Sequence, residues 1–218
     1  MNLFPDCKMI DCEQRSDEWF AARRGILTAS QYGDWLTKSG KVADKARLTA
    51  AARCLAEMTG NPDPAPFESD DMRRGVELEP EARQTFMHAT GLAVDEIGFC
   101  RSAHGWFGCS PDGLILDRGE GLEIKCPRAS KLIQYHTLGE LPPEYEAQVH
   151  GSMAVTGAAA WHFFAYFPGY PHFHIRVERS GYTEAMLDGL KDYSRYYETL
   201  ADTMRQRQIE QQSNQNNE

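Results

Sequence analysis

The stretch "CSPDGLILDRGEGLEIKCP", residues 109–127, decides the reading of this chain. It predicts two short strands, "GLILD" and "GLEIKC", joined by a tight turn at "RGEG". Side chains alternate faces along a strand, so Leu122 and Ile124 share one face while Glu123 and Lys125 share the other. The apolar pair anchors the strand in a core. Pairing the two runs as a hairpin brings Asp112, at the start of the first, opposite the end of the second. Two carboxylates and an ammonium then converge at one edge of a sheet.

Two carboxylates fixed at one point repel each other unless a cation or a proton sits between them. Oxygen donors with open positions suit Mg²⁺ or Mn²⁺, which keep waters and accept phosphate oxygens. Such an ion lowers the pKa of an attacking water and neutralises a leaving oxygen. An adjacent lysine can orient that water or stabilise charge on the phosphorus. The constellation therefore suits phosphodiester hydrolysis. An E-x-K pair alone is an ordinary solvated ion pair; the S-P-D-G ahead of it, with Asp112 eleven residues before Glu123, is what sets this one apart. A calcium-binding EF-hand also places acids at its first and twelfth positions. Here Leu114 and Leu116 stand at the third and fifth, and the sixth is not glycine, which excludes that loop.

The rest of the chain predicts a mixed layered domain. Ser16 caps a helix carrying Asp17 and Glu18 in its first turn, and a second helix starts at "GILTASQYGDWL" with Thr28 or Ser30 as cap. "ADKARLTAAARCLAEMTG" has helical spacing and stops at Gly60. A further helix runs from about Ser69 to Thr90, with Pro80 either starting a fresh turn or kinking it. From residue 92 the period becomes strand-like, first in "LAVDEIGFC" and then in the hairpin. Helices follow at about 128–138 and 143–156, then a strand pair "AWHFFAYF" and "HFHIRVER", then a helix from Tyr182 to about Arg207. That order gives an α/β (α+β) fold, a central mixed sheet flanked by helices. Residues 1–208 are expected to form one domain, and the polar 209–218 tail to be disordered.

Hydrophobic residues make up 41% of the 218 and charged residues 25%, ordinary for a globular chain. No apolar run is long enough for a membrane helix, and the N-terminus lacks the features of a signal peptide, so a cytoplasmic location is expected. The net charge of −9 argues against a surface that coats nucleic acid indiscriminately. It leaves room for positive charge confined to a groove. The six cysteines lack a zinc-ligand or secreted-domain spacing and are expected to be free. His104, His136 and His150 have no paired spacing and are expected at the surface or in packing rather than on a metal.

"SPDG…LEIKCP" resembles the PD-(D/E)-x-K nuclease superfamily, and more closely the phage lambda exonuclease family of recombination nucleases. "DEWFAARRGILTAS" is similar to that family's W-x3-R-x-G-x-x-T-A-S signature, "RRGVELEPEAR" to its G-x-x-x-E helix, and "YEAQVHGSM" to its Gln-bearing helix. The likeness spans about residues 15–180 in order. It implies a restriction-endonuclease-like core, with Asp112, Glu123 and the backbone carbonyl of Ile124 holding Mg²⁺ (or Mn²⁺) and Lys125 activating the water. It makes Glu79 an accessory acid, where the alternative is a solvated helix glutamate, and has Gln148 support the site or touch the terminal phosphate. Arg23, Ser30, Ser110 and Gln148 would form a 5′-phosphate pocket, with Arg24 able to stand in for Arg23. Met72 falls where the family places a wedge between terminal base pairs, the alternative being core burial. The family's additional aspartate is replaced by Ser102, with His104 nearby, and a shortened loop makes DNA contacts from Lys38 and Lys41 doubtful.

The activity implied is Mg²⁺-dependent 5′→3′ digestion of the 5′-phosphorylated strand of linear duplex DNA. The product would be a 3′ overhang handed to a single-strand annealing protein, the enzyme being a ring-shaped homotrimer of phage or prophage origin in a bacterial host. Two other readings are an endonuclease of the same superfamily and a catalytically silent DNA-binding assembly protein. A relative of the iron–sulfur nucleases is not expected, because those usually carry three cysteines near the C-terminus and the last cysteine here is Cys126.

Overall fold

The computed structural model describes residues 3–34, 43–60, 62–63 and 69–215. Lys38, Lys41 and the end of the polar tail, residues 216–218, lie outside the described residues.

Two four-stranded mixed sheets form the scaffold. The first comprises β1 (Cys7–Ile10), β2 (Leu27–Thr28), β3 (Phe99–Ser102) and β4 (Phe107–Cys109) in the order β1-β3-β4-β2, with β2 parallel to β4. The second comprises β5 (Gly113–Ile115), β6 (Glu120–Lys125), β7 (Ala160–Ala165) and β8 (Phe173–Glu178) in that order. Strands β6 and β7 are parallel, and the crossover a parallel pair requires is made by α4 (Ala129–Leu138) and α5 (Pro143–Thr156). The remaining helices are α1 (Asp17–Arg23), α2 (Asp44–Met58), α3 (Asp70–Thr90) and α6 (Gly181–Gln215). The two sheets meet at Ser110–Pro111–Asp112, where Pro111, having no N–H to donate, separates β4 from β5.

Antiparallel pairing of β5 and β6 sets Gly113 against Leu122 and Ile115 against Glu120, confirming the hairpin. Its turn lies at residues 116–119, two residues earlier than expected, with Gly119 at φ +66°. Gly121 is thereby drawn into the strand. A side chain there would come within 2.3 Å of the Trp161 ring on β7, so the close approach of β6 and β7 requires glycine.

Helix α3 is continuous through Pro80, which costs one backbone hydrogen bond but does not end it. Ser69 caps it by accepting the Met72 N–H, and Ser16 caps α1 by accepting the Trp19 N–H, each at 3.2 Å. Ala82 and Phe86 of α3 pack on Ile115, Leu122, Ile124 and Phe164, so the apolar half of β6 is buried beneath α3. The other face is covered by α5, in which every residue from Ala147 to Thr156 is buried except Gln148. Glu123 is consequently only 2% exposed.

Three expectations change. The helix expected at "GILTASQYGDWL" is β2 followed by a 3-10 turn, Ala29–Asp34. Leu27 and Thr28 pair with β4, and the buried Tyr32 hydroxyl donates to the Gly108 carbonyl at 2.7 Å. "LAVDEIGFC" is a strand only from Phe99, with Asp95 bridging to Leu114. Helix α6 extends to Gln215. Residues 190–215 contain neither Gly nor Pro, and the i,i+3 pairs Asp192–Arg195 and Asp202–Arg205 lie along that stretch. Among the described residues no helix is long and apolar enough to cross a membrane.

Candidate active site

The hairpin builds the site in the way the alternation requires. Asp112 donates its backbone N–H to the Leu122 carbonyl at 3.1 Å, and its Oδ2 accepts the Ile124 N–H at 2.6 Å. Glu123 Oε1 accepts from Lys125 Nζ at 2.5 Å and from Gln148 Nε2 at 2.6 Å. The one incompletely buried residue along that stretch of α5 is thus the one that reaches the second carboxylate.

From α3, Arg83 locks the other side of the cluster. Its Nε donates to the Asp112 carbonyl at 2.9 Å, and its Nη2 meets Glu79 Oε1 at 2.6 Å, one helical turn away. Its Nη1 also reaches Glu96 Oε2 at 2.9 Å. Glu79 is therefore tied to the cluster through an arginine that the motif reading did not single out.

Charge at the site is imbalanced towards the acids. Burial pushes the Glu123 carboxyl up to about 7, with Lys125 opposing and Asp112 adding to the rise. Burial and then the nearby Asp112 push Glu79 to about 7, and Asp112 is itself raised by burial. Burial works against the Lys125 ammonium, but Glu123 and Asp112 outweigh it and raise its pKa. Among the described residues no group of three His, Cys, Asp or Glu side chains forms a ready-made metal cage. The donors that converge are two carboxylates and the backbone around Ile124.

A groove of about 690 Å³ opens onto this cluster, lined by Asp112, Lys125, Glu79, Met72, Trp19 and basic side chains including Arg15 and Arg128. Met72 is 53% exposed in it, which rules out the core-burial alternative for this side chain. Arg15 is the sole described non-glycine residue at positive φ, +74°, a backbone position that costs an arginine free energy. Its neighbour Gln14 donates to the Pro111 carbonyl at 2.8 Å. Neither belonged to the quoted motifs. A positive φ carries no sequence signal at an arginine, so only the fold reveals it.

Beside the groove, Arg23 Nη1 donates to Ser110 Oγ at 2.8 Å, and Trp19 Nε1 donates to the same hydroxyl at 3.0 Å. The Arg23 guanidinium lies over the Trp19 ring, 3.9 Å from its centroid. Burial lowers the Arg23 pKa to about 10, which still leaves it charged. Arg24 is exposed. Two further expected pocket residues do not join this pair by any hydrogen bond among the described residues. Ser30 is exposed with its hydroxyl 3.5 Å from Thr28 Oγ1, and Gln148 is engaged by Glu123.

Ser102 is buried on β3 and accepts the His104 N–H, while the His104 ring contacts Asp6 Oδ1 at 3.2 Å. Neither lines the groove. His136 contacts the Pro171 carbonyl at the surface, and His150, buried, contacts the Thr183 hydroxyl. All six cysteines are unpaired, with Cys54, Cys100 and Cys109 buried.

The model of the YqaJ-like viral recombinase domain matches residues 18–159. Among solved structures, an alkaline exonuclease from Laribacter hongkongensis, LHK-Exo, superposes with a TM-score of 0.76 at 30% identity, covering 89% of this chain and 99% of that one. The same enzyme in complex with dAMP gives a TM-score of 0.76 at 31% identity over the same shares. A phage-related exonuclease from Haemophilus somnus 129PT shares the fold, with a TM-score of 0.57 at 15% identity over 82% of this chain and 96% of that one. Comparison with curated proteins returns no match.

Proposed function

The chain belongs to the YqaJ-like viral recombinase domain family, and from that premise we propose that it is a divalent-metal-dependent DNA exonuclease. It digests the 5′-phosphorylated strand of linear duplex DNA in the 5′→3′ direction and leaves a 3′ overhang for strand annealing. The observation that carries this reading is the continuity of the two sites: Ser110, which accepts from Arg23, lies two residues before Asp112 of the Asp112, Glu123 and Lys125 cluster.

Asp112, Glu123 and the Ile124 carbonyl would hold Mg²⁺, with Mn²⁺ as a substitute. The donor set fits a hard cation, because all of its members are oxygens and burial, which raises the pKa of both carboxyls, leaves them favoured by a further positive charge. Bound there, the ion supplies a more acidic water and charge neutralisation at the scissile phosphate. Lys125, kept as an ammonium, donates to and orients the attacking water. Gln148 and Lys125 together fix the Glu123 carboxylate in one rotamer, and Glu79, steered by Arg83, is the accessory acid. Arg23 and Ser110 bind the terminal phosphate, with Ser30 completing the pocket once DNA is bound. Met72 stands in the groove where a terminal base pair would be parted.

In this reading residues 1–208 act as one nuclease domain, in a homotrimeric ring whose channel gathers the basic groove side chains despite a net charge of −9. The annealing protein is its partner in the cytoplasm of a bacterial host. The deciding experiment digests linear duplex, labelled at either end and carrying a 5′-phosphate or 5′-hydroxyl, with and without Mg²⁺. Release of label from the 5′-phosphorylated end alone supports the reading, whereas cleavage of closed circles replaces it with an endonuclease. Sedimentation mass tests the trimer.

A further inference from the structure

Two arginines of the groove share a single carboxylate. Asp71 Oδ1, in the first turn of α3, accepts from Arg74 Nη1 at 2.6 Å and from Arg128 Nε at 2.9 Å. Arg128 directly precedes α4, in the segment that follows the catalytic strand β6, so the triad spans the groove between α3 and that segment. Arg74 Nη2 also reaches the Cys126 carbonyl, at 3.4 Å. All three side chains line the same groove as Asp112 and Lys125.

The exposures argue against a purely structural tie. The Asp71 and Arg128 side chains are 49% and 68% exposed and that of Arg74 27%, and ion pairs this open to water are held weakly. A contact that weak is easily displaced. It nevertheless holds two guanidiniums on one anionic oxygen, the arrangement a phosphodiester oxygen would impose. Met72, 53% exposed, lines the same groove as Asp71.

We infer that Asp71 is an internal stand-in for a DNA backbone phosphate: it occupies Arg74 and Arg128 in the free protein, and a phosphate of the strand in the groove displaces it. Arg74 and Arg128 are then substrate-binding residues, and Asp71 sets affinity by competition. This rests on the nuclease reading above. Removing the competitor increases the positive charge offered to DNA, so Asp71→Asn gains affinity, although it deletes two ion pairs.

The test measures anisotropy of a labelled, 5′-phosphorylated duplex in EDTA, across about 50 to 200 mM salt. Asp71→Asn and Asp71→Ser, both compatible with a helix first turn, are expected to bind about three- to tenfold tighter, with the log–log salt slope steeper by up to about one unit. Arg128→Gln weakens binding in the wild type, and weakens it more in the Asp71→Asn background. Unchanged or weaker binding by both Asp71 variants makes Asp71 a structural tie and overturns the inference. Wild-type protein that neither binds duplex ends nor digests them with Mg²⁺ present removes the nuclease reading itself, a failure visible before any variant is made.

Discussion

Asp112 Oδ2 accepts the backbone N–H of Ile124 at 2.6 Å, so the first carboxylate of the site is bonded to the strand that carries the second. The separation of the two acids is therefore a property of the hairpin rather than of flexible side chains. Asp112→Asn and Lys125→Ala are expected to lower hydrolysis of linear duplex by at least about 10³-fold while retaining DNA binding. Single-turnover digestion beside a binding titration checks both. Comparable activity in either variant would place the chemistry elsewhere.

The raised acids link stability to pH and to metal. Burial lifts Glu123 from 4.5 to about 7. An acid whose folded pKa exceeds its unfolded value destabilises the fold increasingly as pH rises from about 4.5 to about 7, and by a constant amount above that. A bound cation relieves the penalty. Melting temperature should therefore rise more on adding Mg²⁺ at pH 8 than at pH 5, and Glu123→Gln should abolish the difference. An equal rise at both pH values would sink the assignment.

Arg23 and Ser110 make a charge-assisted hydrogen bond at the proposed end-binding pocket. Such bonds contribute about 1.5–3 kcal/mol, so Arg23→Ala should reduce the preference for 5′-phosphate over 5′-hydroxyl by about 10- to 100-fold. The ratio of rates on the two substrates reports it. A retained preference would transfer the role to Arg24.

Gln148 donates to the same Glu123 oxygen as Lys125. Gln148→Ala should slow turnover by about tenfold with little change in duplex affinity, because it frees the carboxylate without removing charge from the groove. A change in affinity for 5′-phosphorylated ends alone would instead put Gln148 at the terminal phosphate.

A histidine pair on β7 and β8 is expected to contribute to acid stability. His162 Nδ1 and His174 Nε2 are 2.9 Å apart, and His162 Nε2 reaches Glu120 Oε2 at 2.7 Å. Burial, then His162, lowers His174 from 6.5 to about 4. A base with a depressed folded pKa costs stability as pH falls from about 6.5 to about 4, with no further loss below that. The wild type should therefore lose more stability than His174→Gln between pH 7 and pH 5. The difference should be on the order of 1 kcal/mol, since solvent screens this partly buried ring. Denaturant midpoints at the two pH values measure it.

The hairpin was legible in the sequence because alternation and glycine punctuation act locally. Asp112, Glu123 and Lys125 are placed together by one turn and one register. Gln148 was legible by motif, although its helix returns to Glu123 only through the β6–α4–α5 crossover. Arg83, Arg15 and Gln14 were not legible, since their relation to Asp112 is made by tertiary packing and by a left-handed backbone that an arginine does not advertise. Strands β1, β2 and β4 were not legible because two to four residues carry no measurable period, and β1 and β2 pair with strands far along the chain. Helix α6 runs past the expected end near Arg207 to Gln215, over a polar stretch whose lack of Gly and Pro favours helix.

On the proposed roles, the joint Ser110–Pro111–Asp112 sets end recognition two peptide units from cleavage, at most about 7 Å of chain. On those roles, that interval is a ruler made of covalent bonds. Its length cannot be altered by side-chain motion, and proline at its centre removes the backbone freedom that would let it slip. The size of the released product is then metered by the chain itself, and an insertion on either side of Pro111 would lengthen the step.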